Sequence, residues 1–259
     1  MLSPIYEATK LIGDTYAVQM QKYSNVNECK EYFIHKLKHT FGVESVILDI
    51  MIREKTIKPY LTKEIKELIE LSAILHDLGR FYQFDDEGKF IPYPIFRHGQ
   101  KAVDLLKDNS RFNNPMLLFA IQTHDLIGID YSSPLYINMT EEEKKIADIM
   151  AKLLRDADKF ENMRNFVVNG YPMFRAVKKE PLSEKVKEFI KNKTLVDRKF
   201  LKTSADVVAD FILWLNDINF DTTRDFIKDI NYFELAIQEF VKYGASEDDV
   251  RLVREMVKL

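Results

Sequence analysis

The chain has 259 residues, is 46% hydrophobic and carries a formal net charge of −3, so a sizeable core is available and no basic excess points to nucleic acid. Gly and Pro number only 8 each, which argues against sandwiches, barrels and glycine-loop nucleotide folds; neither GxGxxG, nor a P-loop, nor GxSxG occurs. The single cysteine, Cys29, excludes an intrachain disulfide framework and a thiolate-rich zinc site, and fits a reducing compartment.

In chain order, residues 1–20 contain Glu7 and Asp14 and no apolar signal-peptide segment. Residues 32–53 form a long helix candidate with Val43, Val46 and Ile50 on one stripe. Residues 64–78 repeat Ile65, Leu68, Ser72 and Leu75 at helical spacing, with Thr62 as cap and Glu64 and Glu67 near the positive end. Residues 80–97 are irregular and aromatic, with room for a short hairpin. Asn114-Pro115 opens a helix over 116–124. Thr140 and Glu143 form a capping-box pattern that opens a helix to about residue 164. A loop covers 169–181. Helices are then expected over 183–192, 205–216, 222–243 and 246–259. No apolar run approaches the roughly 18 residues of a membrane span. The expectation is a cytoplasmic, all-α chain.

Chemistry concentrates in the histidines, which are His35, His39, His76, His98 and His124. Four of them stand on helices or helix starts with apolar neighbours on the same face. A single inward imidazole is ordinarily a hydrogen-bonded core group. Several of them, together with inward carboxylates, form the ligand set of Mn, Fe, Co, Ni or Zn. Gaps of 37, 22, 26 and 34 residues separate His39, His76, His98, His124 and Asp158. Each gap fits one helix plus a connection, so each ligand would come from a different helix. His76 and Asp77 are adjacent, so both can face one site only near a helix end. Gly79 is placed to supply that end.

The order His39, His76-Asp77, Asp158 resembles the HD superfamily of metal-dependent phosphohydrolases. The local contexts are HTFGV at 39–43, AILHDLGR at 73–80, RHGQKAVDLL at 97–106, AIQTHD at 120–125 and DADKFE at 156–161. The resemblance covers about residues 33–165 and implies an all-α helical bundle. Within a single domain spanning 1–259, the HD core would cover about 33–165 and a helical C-terminal extension about 182–259. His39, His76, Asp77 and Asp158 would hold one divalent transition metal ion. His98 and His124 match the extra histidines of members that hold two. Gly170-Tyr171-Pro172 spells the tripeptide of the HD-GYP subfamily, but it follows Asp158 where that subfamily has it before the last aspartate. It reads as a turn.

The resemblance implies hydrolysis of a small phosphorylated substrate, a nucleotide among the candidates, by metal-activated water. Asp77, Arg80 and Lys159 are the catalytic candidates: Asp77 for metal and water, the two cations for phosphate. Arg97 and Lys101 are further basic residues near the site. Asp125 reads as a supporting residue, His35 as a plain surface or core residue, and Asp156 as secondary to Asp158. The aromatics Phe81, Tyr82, Phe84, Phe90, Tyr93 and Phe96 pack the irregular stretch onto the helices. Two other functions fit the same pattern: a regulatory module that binds nucleotide or metal without turnover, and a di-iron oxygenase on the same scaffold.

Overall fold

The structure, a computed structural model, describes residues 2–169 and 179–257. Among these it is all-α, with twelve α-helices and no strand. The chain divides into two compact units, Met1–Ala157 and Asp158–Leu259. No described helix is long and apolar enough to cross a membrane.

The first unit contains α1 (Pro4–Lys22), α2 (Asn27–Arg53), α3 (Lys63–Leu75), α4 (His98–Leu106), α5 (Pro115–Thr123) and α6 (Pro134–Ile137). It also contains the first part of α7 (Glu141–Asn169), which runs through the division. Local signals start most of these helices. Ser3 accepts from the Tyr6 amide, and Thr62 from the Ile65 amide. Asn114 accepts from the amides of Met116 and Leu117, ahead of Pro115 at the first helical position. Thr140 and Glu143 exchange the two bonds of a capping box.

Helix α3 is central: α1, α2 and α5 all pack against it. Its last turns are buried all round, through Ile69, Leu71, Ala73, Ile74 and Leu75. A helix that ends inside a core delivers its terminal residues to the middle of the unit. Phe33, Phe81, Phe112, Leu117 and Ile121 complete the apolar surroundings. Fully burying such side chains contributes roughly 1.5–3 kcal/mol each.

The structure corrects two local expectations here. Helix α3 stops at Leu75, and Gly79 does not end it. Gly79 lies instead inside a 3-10 turn, Leu78–Tyr82. The hairpin expected within 80–97 reduces to one antiparallel bridge between Phe84 and Phe90. Tyr23, the cap residue after α1, holds that loop by donating its hydroxyl to the carbonyls of Phe84 and Asp85, at 3.1 and 2.9 Å.

The second unit contains the rest of α7, then α8 (Glu184–Lys191), α9 (Ser204–Leu213), α10 (Asp221–Asp229), α11 (Tyr232–Lys242) and α12 (Glu247–Met256). Capping boxes open α9, through Thr203 and Asp206, and α12, through Ser246 and Asp249. The two box carboxylates also accept from the amides of Ser183 and Leu182, which fixes the entry to α8. The continuous helix expected over 222–243 is two helices. Asn231 adopts a left-handed conformation, φ 51°, and breaks the run. The tripeptide at 170–172 lies outside the described residues.

Candidate metal centre

Each site residue of the first unit owes its direction to a local feature of the backbone. On α2, Lys36 and His39 stand three residues apart on one buried face. His76 is the cap residue after α3, and its Nδ1 lies 2.7 Å from the Ala73 carbonyl. That contact assigns the proton to Nδ1 and directs the Nε2 lone pair away from the helix. Asp77 has already left helical geometry, φ −96° and ψ 12°, so its carboxylate can face the same space.

The end of α5 repeats this device. His124 caps it, with Nδ1 2.7 Å from the Ile121 carbonyl. Buried Arg155 on α7 fastens this end by donating to the carbonyls of Thr123, His124, Leu126 and Ile127. His98 opens α4 between two glycines that allow close backbone approach. A Cβ on Gly79 would lie 2.1 Å from the His98 carbonyl oxygen, and one on Gly99 would lie 2.7 Å from the Ile121 carbonyl oxygen. Gly79 is therefore required for packing α4 onto the turn and not for capping α3.

These elements converge on Asp77, which is 2% exposed. Its Oδ2 lies 3.7 Å from His39 Nε2 and 3.5 Å from His76 Nε2. Its Oδ1 lies 3.4 Å from His98 Nε2 and 3.7 Å from His124 Nε2. One carboxylate thus faces two histidine pairs, one pair per oxygen. Between the second pair, Nε2 to Nε2 is 3.0 Å. Two cations hold the carboxylate: Lys36 Nζ at 2.9 Å from Oδ2, and Arg80 Nε at 3.3 Å from Oδ1.

The charge states follow from this packing. Burial pushes the Asp77 carboxyl up, but Lys36 and the facing imidazoles outweigh it and hold the carboxyl well below its ordinary value of 3.8. Burial, then Arg80 and His124, hold the His98 imidazole well below its ordinary 6.5. A charged Asp77 carboxylate beside a neutral His98 imidazole is a protonation state suited to metal binding.

His76, Asp77 and His124 each offer a donor atom, and these atoms lie within 4.8 Å of one another. Asp158 follows Ala157 on the unbroken α7. Lys159, next in sequence, has its Nζ 2.7 Å from Asp217 Oδ2.

The remaining residues singled out in the sequence fall around these. Asp125 accepts from the Gly99 amide at 3.0 Å and from Arg97 Nη2 at 3.3 Å, and lies 3.4 Å from His98 Nδ1. It backs His98 instead of entering the cluster around Asp77. Lys101 sits over the Tyr82 ring, 5.2 Å from its centroid. His35 is exposed and stacks on His39 at 6.3 Å between ring centroids. Asp156 is buried. The sequence reading missed Lys36 and Gln83. The signal for Lys36 was its place three residues before His39, on the inward face of the same helix. Gln83 accepts from Arg80 Nη1 at 2.8 Å, and no motif marks it.

The protein-family comparison matches residues 37–163 to the HD domain. No curated protein and no solved structure matches the chain. The matched segment includes His39, the His76-Asp77 pair, His98, His124 and Asp158, and over it the chain carries an HD domain.

Proposed function

We propose that the chain is a metal-dependent phosphohydrolase acting on a small phosphate ester, a nucleotide among the candidate substrates. The observation that carries this reading is the division of Asp77, with Oδ2 toward His39 and His76 and Oδ1 toward His98 and His124. A carboxylate shared in this way suits two divalent transition metal ions, drawn from Mn, Fe, Ni, Co and Zn. His39, His76 and Asp158 would complete one half of the site, and His98 and His124 the other. The donor set fits. It is anionic at Asp77 and neutral at His98, and Asp77 and the four imidazoles are buried. The 3.0 Å between His98 Nε2 and His124 Nε2 suits two donors each about 2.0–2.1 Å from one ion.

Bound metal would polarise the phosphoryl oxygens and make a bound water acidic enough to ionise near neutral pH. The chain's own residues do the rest. Asp77 supplies the negative charge that retains divalent cations, and Lys36 and Arg80 fix its orientation. The Nδ1 contacts of His76 and His124 keep their Nε2 lone pairs turned inward. Arg80 and Lys159 are the proposed phosphate-facing cations, each already set by a carboxylate, Asp77 and Asp217. Water then replaces the ester oxygen on phosphorus.

The test is a screen of the full chain, loaded separately with each of the five metals, against p-nitrophenyl phosphate, bis-p-nitrophenyl phosphate and a nucleotide panel. Metal-dependent release of phosphate or nitrophenol is expected. Bound metal with no turnover of any ester would favour a regulatory module. Oxygen consumption by the iron form alone would favour an oxygenase.

A further inference from the structure

Gln83 follows the Leu78–Tyr82 turn and is 2% exposed. Both ends of its amide are engaged. Oε1 accepts from Arg80 Nη1 at 2.8 Å and from the Tyr32 hydroxyl at 3.2 Å, and Nε2 donates to the Ile91 carbonyl at 3.0 Å. The Ile91 amide returns a bond to the Gln83 carbonyl at 2.9 Å. Residues 83 and 91 are therefore the neck of the aromatic loop. On the other side, Arg80 Nε donates to Asp77 Oδ1 at 3.3 Å.

We infer that Gln83 is a positioning residue that couples the loop 84–96 to the Asp77 carboxylate through Arg80. Its consequence for metal rests on the role proposed above for Asp77. The loop presents Phe90, Tyr93 and Ile95 to solvent, with Ile95 78% exposed. Phe90 also packs edge-on to Tyr32, with 5.7 Å between centroids, so both Gln83 and Tyr32 feel the loop's position. A loop displaced by a ligand must pull on the neck. The neck holds Arg80, and Arg80 holds the oxygen that faces His98 and His124. An amide suits this position because it both accepts from a guanidinium and donates to a carbonyl. Glutamate keeps the first bond and cannot make the second.

The test compares the full wild-type chain with Gln83→Met, Gln83→Glu and Ile91→Pro, the last of which removes the neck's backbone donor. Mn²⁺ is titrated by calorimetry, and amide hydrogen exchange is followed without metal. Gln83→Met should weaken Mn²⁺ binding about tenfold or more, the scale for losing a partner behind a ligand. Ile91→Pro, which touches no proposed ligand, should weaken it in the same direction. Gln83→Glu, which keeps the Arg80 bond and loses the bond to the Ile91 carbonyl, should weaken Mn²⁺ binding less than Gln83→Met, with faster exchange over 84–96 than in the wild type. Without metal, Gln83→Met should lose protection over 78–82 and 84–96 together. Loss over 84–96 alone, or Mn²⁺ affinity within twofold of wild type in both Gln83→Met and Ile91→Pro, would overturn the coupling. A wild type that binds no Mn²⁺ would count against the metal reading, and the exchange data would still decide the tie. If Gln83→Met does not fold, Gln83→Glu carries the exchange test: 84–96 must loosen relative to wild type, and unchanged protection there overturns the inference.

Discussion

Asp77 is approached by Lys36, Arg80 and the four histidines His39, His76, His98 and His124, all within 3.7 Å. Replacing it with Asn keeps the shape and removes the charge. Asp77→Asn is expected to lose metal and to lower ester hydrolysis by orders of magnitude, while its circular dichroism stays that of the wild type. The apolar core around α3 does not depend on this carboxylate. The same packing sets a pH response in the metal-free protein. His98 is held below its ordinary 6.5, so the unfolded chain takes up its proton first. Its contribution to stability is present above about pH 6.5 and is lost as pH falls below that. Asp77 is held below its ordinary 3.8, so its contribution is lost only in stronger acid, as pH falls through its folded value. Thermal melts should therefore show a drop between pH 7.5 and 5.5 that shrinks in His98→Gln. The sequence made the histidines and Asp77 legible because their residue types are scarce and their chemistry is narrow. Lys36 and Gln83 were not legible in the same way. A lysine three residues before a histidine and a glutamine after a turn are common, and only packing gives them partners.

Among the elements, the helix starts were the most readable feature. Thr62, Asn114, Thr140 and Ser246 each cap where their side-chain chemistry suggests. Helix ends were less readable. Gly79 looked like a terminator, yet its reason is the carbonyl of His98, nineteen residues on, which no local pattern reveals. Gly79→Ala tests this. With a Cβ 2.1 Å from that carbonyl, α4 must shift away from the turn. The expected cost is about 1–3 kcal/mol, the scale of overpacking. Metal analysis should show loss at the His98 and His124 half of the site before the other half. The break at Asn231 was similarly hidden, because a single left-handed residue leaves helical periodicity intact on both sides. On α9, burial pushes the Asp210 carboxyl up to about 6, against the opposing pull of Arg198. A raised carboxyl contributes its full stability below the ordinary 3.8 and loses it as pH rises through 6. Asp210→Asn should therefore stabilise the protein at pH 8, by at most roughly 3 kcal/mol. Its effect should fade toward pH 4. Melting curves of the two proteins at both pH values give the answer.

At the scale of the molecule, the all-α class followed from helical periodicity and the scarcity of Gly and Pro. The two-unit division did not, because it falls inside one uninterrupted helix, α7. Five of the six proposed metal ligands belong to the first unit, and Asp158 opens the second. The proposed function turns on Asp77 being shared between two ions. The most direct measurement is the metal-to-protein ratio of the purified full chain, loaded with Mn²⁺, desalted and analysed by mass spectrometry beside Asp77→Asn. A shared Asp77 should give about two ions per wild-type chain and loss of both in the variant. One ion or none in the wild type, or two retained in Asp77→Asn, would contradict it.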